Sequence, residues 1–137
     1  MTRIWKLPAP GDIVWCSFPE VPETEPGPKP RPALVMSVES RVDGDLVCVV
    51  YGTSKHLSLL KSGEVSITKA LNPAAYELAG LAYDTKFDFN VIVELPWSDR
   101  YFKVPPGRPH GNSPKLGTLH VTVARAFALA YQSSTSR

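Results

Sequence analysis

The chain has 137 residues, 43% of them apolar and 20% charged, which is enough for one hydrophobic core and excludes a disordered composition. Its 15 basic and 13 acidic residues leave a net charge of +2. That balance neither marks a nucleic-acid binder nor rules one out, since a local basic groove needs only a few residues.

In chain order, Asp12 to Phe18 is an apolar run rich in Val, Ile and aromatics, reached through Pro10-Gly11, and reads as a first strand. Trp15 shares a strand face with Ile13, which directs it to the core. Six prolines between Pro19 and Pro32 forbid helix and central strand, so 19–32 is an irregular, stiff loop, and a long loop in a small domain has a job. Ala33 to Val38 and Leu46 to Tyr51 are strands joined by Asp43-Gly44-Asp45, a turn, and together make a hairpin. Cys16 and Cys48 fall inside strands without metal-ligand spacing and read as buried thiols of a reducing compartment.

Lys61-Ser62-Gly63 precedes a weaker strand, Glu64 to Ile67. Asn72-Pro73 starts a helix, with asparagine as the cap and proline at the first helical position, and Gly80 closes it. Phe87 to Leu95 and Tyr101 to Val104 read as strands around a turn at Pro96-Trp97-Ser98-Asp99, which leaves Trp97 exposed. The loop 105–114 holds four prolines and two glycines. Val121, Ala124, Phe127, Ala128 and Tyr131 recur at helical spacing and mark a C-terminal amphipathic helix. Short strands with one or two helices favour a mainly β fold, a small partly open barrel, over alternating β and α units. No segment reaches the roughly eighteen apolar residues of a membrane span, and the N-terminus lacks an apolar run behind a basic start. A single cytoplasmic domain over 1–137 is the expectation.

The order Gly11-Asp12-Ile13-Val14-Trp15, Lys29-Pro30-Arg31-Pro32-Ala33-Leu34-Val35 and Gly52-Thr53-Ser54 resembles the MazF/PemK family, the toxins of type II toxin–antitoxin modules. The resemblance implies an SH3-like barrel with accessory helices, a homodimer, and a metal-independent endoribonuclease without cofactor. It also implies single-stranded RNA as substrate and a protein antitoxin that blocks the groove. The family's active-site arginine falls on Arg31 and its threonine on Thr53, with Ser54 beside it. Two stretches depart from the family pattern: the 19–32 loop carries Glu20, Glu23 and Glu25, and the second half lacks the compact ending of the common toxins.

The chemistry assigns roles to those residues. Attack by a ribose 2′-hydroxyl needs a base, an acid and a holder for the extra negative charge. Arg31 suits the last role, because a guanidinium forks onto two phosphoryl oxygens and stays charged. Thr53 offers a hydroxyl to the same phosphate. His56 is the histidine nearest these residues in sequence, and imidazole is the side chain most used as a base near neutrality; Arg31 itself is the other candidate. Lys29, Ser54, Lys55 and Lys86 are the expected RNA contacts. Trp15, Phe18 and Tyr51 divide between core packing and stacking on unpaired bases. The alternative reading is a non-catalytic module that binds a peptide or nucleic acid in the same groove.

Overall fold

The computed structural model describes residues 5–19, 26–27, 29–106 and 112–134. Its elements are β1 (Asp12–Cys16), β2 (Arg31–Arg41), β3 (Gly44–Thr53), β4 (Glu64–Ile67), α1 (Pro73–Leu78), β5 (Thr85–Pro96), β6 (Lys115–Thr118) and α2 (Val121–Ser133). The strands form one antiparallel sheet in the order β4-β5-β3-β2-β1-β6. The fold is therefore a dominant antiparallel sheet with helices, but the expected barrel is not closed. Among the described residues no ladder joins β4 to β6. The helices stand at these two edges instead: α2 packs on β4, and the end of α1 meets β6, where the Leu78 carbonyl occupies the space that a side chain at Gly117 would need.

Both sheet faces are covered, which is why β1 and β3 read as almost continuous apolar runs rather than alternating ones. On one face Ile13, Leu34, Val50, Phe87 and Phe89 pack beneath α1 and α2. On the other, Val14, Cys16, Val35, Val47 and Val49 pack beneath Trp97, Tyr101 and Phe102. Trp97 is thus buried, contrary to its expected exposure. Its ring meets Trp5 edge-on at 5.7 Å and Phe102 at 4.6 Å, and its indole N–H donates to the Trp5 carbonyl.

The expected strand at Tyr101–Val104 shrinks to a single bridge between Phe102 and Cys16. The amides of Tyr101 and Phe102 donate back to the Ser98 carbonyl, which coils the chain, and β6 already occupies the free edge of β1 at Asp12, Ile13 and Val14. Both cysteines are free thiols. Burial pushes the Cys16 and Cys48 thiols up from their usual range, so neither is a ready thiolate. Among the described residues no helix is long and apolar enough to cross a membrane.

The helix ends differ from expectation in detail. Asn72 does not cap α1; its side-chain oxygen accepts from the Thr68 amide at 3.2 Å. At α2 the cap is His120, whose Nδ1 accepts from the Thr122 amide at 3.1 Å. The buried stripe of α2 is Val123, Phe127 and Ala130, one position out of phase with part of the expected stripe, and Val121 is exposed. Phe127 sets this phase by packing against Phe87 and Phe89 at 5.6 and 6.0 Å.

Gly80 closes α1 as anticipated. Its amide donates to the Glu77 carbonyl and the Leu81 amide to the Tyr76 carbonyl, the paired bonds of a Schellman turn. Its φ of +70° and the Leu116 backbone beside it both disfavour a side chain. Gly80→Ala is expected to cost about 1–3 kcal/mol, read as a lower urea midpoint with an unchanged slope.

Candidate active site

At the end of the sheet where β2 begins and β3 ends lies a cavity of about 300 Å³. Its position follows from the hairpin. The β2–β3 ladder reaches Ala33 and Tyr51, and beyond it Arg31 pairs with Cys16 of β1 and Thr53 with Lys86 of β5, at adjacent ends of β2 and β3. Gly52 permits this approach, because a Cβ there would run into the Pro32 carbonyl and the Phe87 ring. The two residues singled out in sequence therefore stand at adjacent strand ends, and both line the cavity.

Arg31 is half-buried, and its guanidinium lies over the Tyr51 ring at 5.8 Å, a cation–π contact that orients it. Tyr51 is in turn braced edge-on by buried Phe18 at 5.2 Å. These two aromatics thus support the arginine from the sheet side. Among the described residues no carboxylate pairs with Arg31. Thr53 is buried, and its Oγ1 accepts from the Lys55 amide at 3.2 Å, which leaves the hydroxyl hydrogen free for a ligand oxygen.

Lys29, Ser54 and Lys55 also line the cavity, so among the described residues its charged part is cationic and the lining holds neither carboxylate nor imidazole. Two expected participants are not brought here. His56 is exposed, has a φ of +57°, and lies outside the lining. Lys86 is buried, with its Nζ 3.1 Å from both Glu64 carboxylate oxygens. Asp84 and Asp88 instead bond the amides of Lys69 and Asn90. Residues 20–25, with their three glutamates, and His110 lie outside the described residues.

The rest of the wall is apolar and went unread in sequence. Trp15 is half-buried in it, beside Leu81, Tyr83, Pro105, Pro106 and Leu116. Only the backbone path brings these together, because they belong to β1, the link from α1 to β5, the proline-rich stretch and β6.

Compared with known proteins, residues 9–97 match the family model described as PemK-like, MazF-like toxin of type II toxin-antitoxin system. The matched span runs from the turn before β1 to just past β5 and includes Arg31 and Thr53. No curated protein matches the chain.

The Glu64–Lys86 pair fixes the segment behind Lys55. Lys86 also donates to the Leu59 carbonyl at 3.5 Å, and Glu64 accepts from the Lys61 amide at 2.7 Å. Burial opposes ionisation of Glu64, but the Lys61 amide and the Lys86 ammonium outweigh it and hold the carboxyl below its ordinary 4.5. Lys86→Met strands a buried carboxylate, and the expected loss is about 3 kcal/mol, measured by chemical denaturation at neutral pH. The folded form of Glu64 binds its proton less readily than the unfolded form. Its contribution is therefore complete above pH 4.5 and is lost as pH falls through the folded value. Acid titration of stability should accordingly fall less steeply below pH 4.5 in Glu64→Gln than in the parent.

Proposed function

Because the chain belongs to the PemK/MazF-like toxin family of type II toxin–antitoxin systems, whose members generally cleave RNA, we propose that it is a metal-independent endoribonuclease acting on single-stranded RNA. The observation that carries this reading is that Arg31, at the start of β2, and Thr53, at the end of β3, line one cavity whose charged residues, among those described, are cationic. Its partners in this reading are RNA and a cognate protein antitoxin that covers the same cavity. The working form is a homodimer in the cytoplasm, and residues 1–137 act as one domain.

In the proposed reaction the ribose 2′-oxygen loses its proton and bonds to the adjacent phosphorus, while the bond from phosphorus to the 5′-oxygen breaks and that oxygen gains a proton. The products are a 2′,3′-cyclic phosphate and a 5′-hydroxyl. Arg31 neutralises the charge that builds on the phosphoryl oxygens, and it is held ready by Tyr51 so that little reorganisation is needed. Thr53 donates its hydroxyl to one of the same oxygens. Lys29, Ser54 and Lys55 hold the neighbouring backbone, with a salt dependence that reports the phosphates engaged. His56 stays a candidate base although it lies outside the lining, and Arg31 is the alternative for the proton transfer.

Arg31→Ala is expected to lower the cleavage rate by about 10²–10³, and Thr53→Val by about tenfold, measured on a long mixed-sequence RNA in EDTA with mapping of fragment ends. Discrete cuts bearing cyclic phosphate support the reading. Intact RNA at high concentrations of the wild-type protein sinks it. A His56→Ala variant that cuts at the parent rate removes the imidazole from the mechanism and leaves proton transfer to Arg31.

A further inference from the structure

The chemistry above leaves Tyr83 unused. Its residue is 73% exposed, yet it lines the cavity that holds Arg31. The backbone beneath it is fixed. The buried Thr85 hydroxyl donates to the Tyr83 carbonyl at 2.9 Å, and the adjacent Asp84 carboxylate accepts from the Lys69 amide at 2.8 Å. Among the described residues the Tyr83 ring packs on no other ring. The fold thus holds a large π-face in water at the mouth of a site whose described lining carries the cations Lys29, Arg31 and Lys55.

A single-stranded nucleotide matches both halves of this arrangement, with a phosphate for the cations and a flat base for the ring. A cavity of about 300 Å³ is at the small end of ligand pockets and suits one unpaired nucleotide rather than a duplex, whose bases have no free face. We propose that Tyr83 stacks on one unpaired nucleobase of the RNA whose phosphate is held by Arg31, and so determines affinity and base preference at that position. The proposal rests on the ribonuclease reading for its substrate and not for the chemical step.

The test separates the two. Fluorescence anisotropy is measured on the full chain and its Tyr83→Ala and Tyr83→Phe variants. The probes are a short mixed-sequence 2′-O-methyl RNA, which lacks the attacking hydroxyl, and an abasic strand of equal charge. The parent should prefer the base-bearing strand by about tenfold or more. Tyr83→Ala should lose that preference and Tyr83→Phe should keep it, with the same salt dependence in all three. Equal binding of the two strands by the parent, or an undiminished preference in Tyr83→Ala, overturns the proposal. Cleavage of unmodified RNA by the parent is followed in parallel. If the parent does not cut, the ribonuclease reading fails while anisotropy still decides the stacking.

Discussion

The register of the β2–β3 hairpin governs the rest of this molecule. A strand slipped by one residue turns every side chain to the opposite face, so the pairing of Ala33 with Tyr51 decides at once which residues enter which core and which pair meets at the sheet end. Gly52 makes the arrangement possible at its tightest point, since the Pro32 carbonyl stands where its side chain would be. Arg31 and Thr53 reach one cavity because the hairpin sets the start of β2 beside the end of β3, and Tyr51, one residue before that glycine, supplies the ring on which the guanidinium rests.

Covering replaces closure as the means of finishing the sheet. A six-stranded sheet with both faces buried needs two layers over it, and the chain assembles them from unlike parts: helices on one side, and on the other an aromatic segment with the N-terminal Trp5. Strand irregularities serve this end. The pairing between β3 and β5 shifts so that Val50 faces Ile92 while Tyr51 faces Asp88. The residues between include Phe89, which turns toward Phe127. The same shift leaves the start of β5 free to pair with β4 as well as with β3, and there Lys86 finds Glu64.

Much of this was legible in the residues. Strands β1 to β5 announced themselves as apolar runs punctuated by proline and glycine, and the Gly80 stop was local chemistry. Arg31 and Thr53 were legible through family likeness. What was not legible depended on distant contacts. Trp97 sits in a turn, and its burial depends on Phe102 and on Trp5, which is far away in sequence. The four-residue β6 was hidden behind prolines. Alanines all along α2 allow two apolar stripes, and the choice between them belongs to Phe127 and the rings it meets. Lys86 read as a free cation because its partner, Glu64, lies on a strand that sequence alone does not place beside it. The apolar wall was out of reach for the same reason.

Leu116 lies in that wall, and its backbone also sits against Gly80 at the end of α1. It belongs to β6, after the second proline-rich stretch, and α2 follows directly to cover Phe87 and Phe89. A chain emerging from the ribosome therefore displays Arg31 and Thr53 early but without the far wall, over a core still open to water. The pocket becomes whole only after these later elements have been made and docked. For a protein read as an enzyme that cuts RNA, the topology makes its cutting site whole only once β6 and α2 have been synthesised and docked.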